Sequence, residues 1–368
     1  MPPDKSSRYD LSVFRNGKML ARLIGIGIIV GCSAVAFAAV AGWLSPDKLT
    51  PASFVDGFQQ ANGVHPGFRR NHAKGVCIAG NFASNGQGVR LSKSVIFQPG
   101  IVPVVGRFAL AGGMPMMADG PKAVRSMALS FRPANGEEWR TGMNDIPVFP
   151  FPTPADFYGQ MQAAMPDPAT GKPDPAKMKA FVDSHPKTAQ AMKAIGAKPF
   201  SSGFADASYN SLDAFRFVNK AGTVMPVRWT MAAVDPFVAQ SAEQPQTGDK
   251  NYLFDALAAR LKQGPVQWHL IVTIGQADDP TNDATVAWPD DREKVDVGTL
   301  TIDRIASEAK DNCRDINFDP LVLPSGIEAS DDPLLSARSA VYSRSFTRRA
   351  GEDKTPSAVQ IDNTAKEP

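Results

Sequence analysis

The sequence predicts an α+β fold: an antiparallel β-barrel with helical additions, preceded by one membrane-spanning helix. Three observations predict it. Strand-length apolar segments recur along the chain, separated by the hairpin-type turns Asn85-Gly86, Pro99-Gly100, Gly112-Gly113 and Asn135-Gly136. The 31 prolines and 30 glycines exceed what a helical bundle tolerates and favour strands joined by long ordered loops. Residues Leu23 to Leu44 carry no charge, and crossing a bilayer takes about 20 apolar residues.

The leader comes first. Lys5, Arg8, Arg15, Lys18 and Arg22 precede the apolar run, and positive charge stays on the cytoplasmic side. Residues 1–45 therefore read as a basic stub and a single-pass signal anchor in a bacterial inner membrane, with the rest of the chain in the periplasm. Ala36-Phe37-Ala38 offers a cleavage site that would release a soluble periplasmic protein instead, but the apolar run is longer than a usual signal-peptide core. Ile29-Val30-Gly31-Cys32 is only a weak lipoprotein box, since the residues after it stay apolar.

Ser45-Pro46 ends the leader, and residues 48–62 read as an amphipathic helix with Phe54, Val55 and Phe58 on one face. From Cys77 to Val148 the pattern is strand-like, with Leu91, Val95 and Phe97 forming one of the runs. Residues 154–197 read as helix punctuated by Pro166, Pro168, Pro173 and Pro175. Strands resume at 215–218 and 224–229 across an Asn219-Lys220-Ala221-Gly222 turn. A helix near 252–261 precedes strands at 266–274 and 297–302. Residues 46–349 make one domain, and 350–368 read as a polar, disordered tail.

Composition narrows the function. The 39 basic and 37 acidic residues nearly balance and do not cluster with aromatics, which argues against a nucleic-acid partner. With 43% hydrophobic residues the chain can bury a substantial core. Cys77 and Cys313 could pair, although three cysteines form no disulfide framework, which weighs against it.

Three segments carry chemistry. Arg69-Arg70-Asn71-His72-Ala73-Lys74-Gly75 contains an imidazole, whose ordinary pKa of about 6.5 suits proton transfer between two oxygens. Gly142-Met143-Asn144-Asp145-Ile146-Pro147-Val148-Phe149 contains an amide that can donate to an oxygen without taking its proton. Arg338-Ser339-Ala340-Val341-Tyr342 is a weak motif alone. Phe318-Asp319-Pro320, the string Pro324 to Ser330, and Asp332 precede it. In this order the segments resemble the haem catalase family, most closely its short, single-domain branch, the catalase-related peroxidases. The resemblance covers roughly residues 50–345.

That resemblance implies an eight-stranded antiparallel barrel of the catalase type holding haem b, with helices outside. It implies His72 as the distal acid–base, Asn144 as the group orienting peroxide, and Tyr342 as the axial iron ligand. Arg338, one helical turn earlier, would help hold the phenolate. Arg69 and Arg107 would bind the propionates. Phe157, eight residues after Phe149, has the spacing of the phenylalanine that stacks on haem. Asp145 and Pro150 depart from the family pattern. Ala109 follows Val105-Gly106-Arg107-Phe108 where the family has a serine, and so removes a hydroxyl expected near the distal histidine. Asn71 replaces a valine that narrows the peroxide channel. The long wrapping segment and C-terminal helices of full catalases are missing.

A shorter shell and a polar channel residue suggest an open pocket, in which an unidentified small-molecule reductant competes with a second peroxide. The expected function is a haem-dependent peroxidase acting on hydrogen peroxide, and conceivably on organic peroxides, with weak catalase activity. A compact true catalase and a hydroperoxide-rearranging lyase of the allene oxide synthase type are the alternatives.

Overall fold

The computed structural model describes residues 17–40, 49–240 and 249–361. It forms two compact units, one ending at Thr50 and one beginning at Pro51. The first contains helix α1 (Gly17–Val40), and its Gly17–Ala39 stretch is long and apolar enough to cross a membrane by length and composition. Lys5, Arg8 and Arg15 of the basic stub, and the end of the apolar run at 41–44, lie outside the described residues.

The second unit contains α2 (Pro51–Asn62), β1 (Gly75–Ser84), β2 (Gly100–Leu110), β3 (Arg125–Phe131) and β4 (Trp139–Asn144). Helices α3 (Pro154–Ala163), α4 (Pro175–Ser184) and α5 (Pro186–Ala197) follow. Then come β5 (Tyr209–Asn210), β6 (Phe215–Val218), β7 (Val224–Ala233), α6 (Tyr252–Lys262), β8 (Val266–Ile274), β9 (Lys294–Ala306), β10 (Ile327–Ala329) and α7 (Pro333–Ala350).

Every pairing is antiparallel, and the β7–β8 pairing closes a ring of eight strands in the order β1, β2, β3, β4, β5, β7, β8, β9. The short β6 pairs with the other half of β7, and β10 flanks β6. The eight-stranded barrel is therefore present. Its interior is filled: Phe82, Phe108, Phe131, Trp139, Trp229 and Trp268 are fully buried, Phe131 stacks on Trp139 at 4.7 Å, and Trp139 meets Trp229 edge-on at 5.1 Å. Eight strands leave an interior that side chains alone can fill. Any large ligand must bind outside the ring.

Prolines start helices here as much as they interrupt them. Pro154, Pro175 and Pro333 follow the capping residues Thr153, Asp174 and Asp332, whose side chains accept from backbone N–H groups of the first turn. The 154–197 region is thus three helices, with Pro166 and Pro173 bridging a small hairpin. The Leu91–Phe97 run, expected as a strand, contains a tight helical turn at Val95–Phe97 instead, because Ser94 caps the N–H of Ile96. Leu91, Ile96 and Phe97 still reach the core.

The expected disordered tail is corrected for residues 350–361. Glu352 pairs with Arg70, Lys354 with Asp315 at 2.6 Å, and Val359 is fully buried. Polar composition hid these ties, which are made to residues distant in sequence. Residues 362–368 lie outside the described residues. The pairing of Cys77 with Cys313 is also settled: they form a disulfide with Cα atoms 5.4 Å apart, across 236 residues.

Candidate active site

Side-chain alternation on three neighbouring strands builds the site. Phe108, Met127 and Met143 are cross-strand partners on β2, β3 and β4, and all three are buried in the barrel core. Their neighbours point the other way. Those neighbours line a cavity against the outer wall, beside residues of α2, α3 and α7. They form two rows across the strands, Arg107–Ala128–Gly142 and Ala109–Ser126–Asn144. The rows are two residues apart, or about 7 Å. His72, Asn144, Arg69, Arg107, Phe157, Arg338 and Tyr342 all line this one cavity.

His72 and Asn144 stand at the second row. His72 precedes β1 and has a left-handed backbone (φ 53°), a conformation that costs a non-glycine residue about 1–3 kcal/mol. Asn71 holds it: its Oδ1 accepts from the N–H of His72 at 2.9 Å and from that of Gly112 at 3.0 Å. Asn71 therefore ties down the backbone as well as lining the cavity, beyond its expected role as a polar channel residue. The Ser126 hydroxyl lies 2.9 Å from His72 Nδ1 and donates to Asn144 Oδ1 at 2.5 Å. Burial, helped by the charges of Arg107, Arg338 and Arg69, depresses the His72 pKa to about 3, so the ring is neutral near pH 7.

Tyr342 and Arg338 stand at the first row, one turn apart on α7. Arg338 forms an ion pair with the buried Asp213, and its Nη2 reaches the Gly142 carbonyl at 3.4 Å. Burial works against the guanidinium charge, but Asp213 and Tyr342 outweigh it and hold the Arg338 pKa above its ordinary value. Both groups lie against β4 at Gly142, where a Cβ would stand in ordinary contact, 3.5 Å from Arg338 Nη2 and 3.7 Å from the Tyr342 hydroxyl.

At one end of the cavity the guanidinium groups gather. Arg69 Nη1 lies 3.0 Å and Arg107 Nε 2.6 Å from the same carboxylate oxygen of Glu308. Arg69 also donates to the carbonyls of Cys313 at 3.1 Å and Ile316 at 2.8 Å. Burial raises the Glu308 pKa, yet Arg107 and Arg69 bring it below its ordinary value. Burial and the charges of Arg107 and Arg349 push Arg69 well down, and burial with Arg107 lowers Arg349 to about 10. Arg69, Arg107 and Arg349 line this end of the cavity, and Arg314 adds a further buried positive charge near Glu308. The apolar wall is aromatic: Phe157 stacks on Phe151 at 5.0 Å and meets Phe149, Phe58 and Phe54 at 5.8–6.0 Å.

Sequence reasoning missed Ser126, Asp213, Glu308 and Arg349. None lies in a distinctive string. Strand alternation around Arg107 and Asn144 is the one signal that points to Ser126.

The catalase family model matches residues 46–362. The chain is 36% identical over 320 residues to a catalase-related peroxidase of Synechococcus elongatus, covering 87% of this chain and 92% of that one. It is 32% identical over 314 residues to a catalase-related peroxidase of Mycolicibacterium paratuberculosis, covering 85% and 99%. Catalase A from Saccharomyces cerevisiae superposes with a TM-score of 0.70 at 19% identity, covering 78% of this chain. This chain spans 62% of that catalase. The filled barrel, the cavity on its outer wall and these matches lead to one conclusion: the chain belongs to the catalase family.

Proposed function

We propose that the chain is a haem-dependent peroxidase that reduces hydrogen peroxide with electrons from a small organic donor. One observation carries this reading. A single cavity gathers a neutral imidazole and an amide at one row and a phenol beside a guanidinium at the other. The related chains named catalase-related peroxidases support peroxide as the substrate.

The residues fit haem b. Tyr342 would hold the iron through its phenol oxygen, with the Arg338 guanidinium beside it on the same helix face. Arg69, Arg107 and Arg349, which line one end of the cavity, would take the two propionates. Phe157 would face the flat macrocycle.

Bound haem supplies the electrons that break the O–O bond and takes up their replacements. The chain's own groups move and hold protons. His72 takes a proton from the nearer peroxide oxygen and returns it to the farther one, which leaves as water. Asn144 donates toward peroxide without taking its proton. Arg338, paired with Asp213, keeps a positive charge beside Tyr342.

The apolar N-terminal helix and the Cys77–Cys313 disulfide support a single-pass inner-membrane protein with its barrel in the periplasm, where disulfides persist. Protease added to spheroplasts should remove the barrel, and protection would place it in the cytoplasm.

The test of function is to add hydrogen peroxide to the haem-loaded chain and follow oxygen release beside oxidation of an artificial donor. Donor oxidation should outrun oxygen. Rapid oxygen release with little donor oxidation would make the chain a compact catalase.

A further inference from the structure

We infer that Ser126 is the positioning residue that sets the working tautomer of His72 and the orientation of the Asn144 amide. The inference rests on the haem-peroxidase reading above. The Ser126 hydroxyl has one proton. It lies 2.5 Å from Asn144 Oδ1, a carbonyl oxygen that can only accept, so the proton points there. Toward His72 Nδ1, 2.9 Å away, Ser126 therefore presents a lone pair. Nδ1 must carry the ring proton, which leaves Nε2 as the free base. With Oδ1 engaged, Asn144 turns its NH₂ group to the remaining side. One hydroxyl thus prepares a proton acceptor and a hydrogen-bond donor for the same small substrate.

Its position explains how this chain works without the serine the family resemblance leads one to expect after Phe108. Residue 109 is alanine, and Ala109 is the direct cross-strand partner of Ser126. Both line the cavity. Opposed side chains in an antiparallel pair have Cβ atoms about 4.5–5.5 Å apart, so a hydroxyl on either strand can serve the same imidazole. Here it comes from β3, where it also joins the row to Asn144.

The test uses the haem-loaded full chain and the rate of cyanide binding, followed by absorbance. Hydrogen cyanide must give its proton to a base in the cavity before the anion binds, so the on-rate reports a free Nε2. Ser126→Ala should lower the on-rate about twofold, as expected when a tautomer ratio of about 10:1 set by one hydrogen bond relaxes to about 1:1, and leave the cyanide off-rate unchanged. Ser126→Thr, which keeps the hydroxyl, should behave as the parent. The swap Ala109→Ser/Ser126→Ala should restore the on-rate. A haem-loaded Ser126→Ala with the parent's on-rate overturns the inference. If Ser126→Ala fails to load haem, the swap decides, since a swap that loads haem but binds cyanide slowly, or does not load, also overturns it. A parent chain that binds no haem would instead overturn the proposed function.

Discussion

Replacing Glu308 with Gln removes the one carboxylate that Arg69 and Arg107 share, at 3.0 and 2.6 Å. The side chains of Glu308 and Arg107 are 3% and 2% exposed, so solvent screens the contact little. At an effective dielectric of about 20, opposite unit charges 3 Å apart attract by about 5–6 kcal/mol. Desolvation offsets much of that when a pair forms, but removing one partner strands the other, at a cost of about 3–5 kcal/mol. Four like charges remain after the substitution, Arg69, Arg107, Arg314 and Arg349. At roughly 2 °C per kcal/mol for a domain of this size, the haem-free variant should melt about 6–10 °C below the parent. Haem propionates bring replacement charge, so the loaded variant should lose less than half as much. Melts followed by circular dichroism, with and without haem, read both numbers. The sign with pH follows from the lowered Glu308 pKa: its stabilisation is full above the ordinary glutamate pKa of about 4.3 and is lost as pH falls through the lower folded value. The Gln variant should lack that acid-dependent step. A haem-free melting point within about 1 °C of the parent would refute the energetic reading. Equal losses with and without haem would refute the assignment of these arginines to propionates.

Other outcomes follow from the same site. His72→Ala should abolish peroxide turnover while haem content stays at the parent level, and undiminished turnover would remove His72 from proton transfer. Because its pKa lies at about 3, His72 stays neutral down to acidic pH, so parent turnover should show no loss from histidine protonation between pH 8 and 5; a fall centred near the ordinary histidine pKa of about 6.5 would contradict this. Tyr342→Phe should shift the haem absorbance bands and weaken haem retention on a desalting column, whereas an unchanged spectrum would exclude Tyr342 as the ligand. The Cys77→Ala/Cys313→Ala pair should lower stability by about 5 kcal/mol on the loop-entropy account, given the 236-residue separation, and denaturant unfolding would measure it.

Much of the site was legible because its chemistry sits in short strings. His72, Asn144 and the Arg338/Tyr342 pair each occur in a local context whose length is a turn or a strand end. Helix periodicity alone puts Arg338 and Tyr342 on one face. Likewise α3, α4 and α7 begin at a capping residue followed by proline, a signal contained in two adjacent residues. Leu91 to Phe97 misled because a buried apolar run looks the same whether it is a strand or contains a tight helical turn.

By itself, then, the sequence determined the kind of protein: an apolar leader, a strand-rich domain and the short strings that bring His72, Asn144, Arg338 and Tyr342 to the cavity. The tertiary structure decided who serves whom. Ser126 reaches His72 only through the register that sets it opposite Ala109 and Asn144. Glu308 meets Arg69 and Arg107 across more than 200 residues, and Asp213 meets Arg338 across 125. The barrel core is filled by side chains, and the cavity lies on the outer wall. The reason is physical. Local strings encode turns, caps and one-face periodicity, whereas strand register and the partners of buried charges are fixed only when distant segments pack and must satisfy one another out of water.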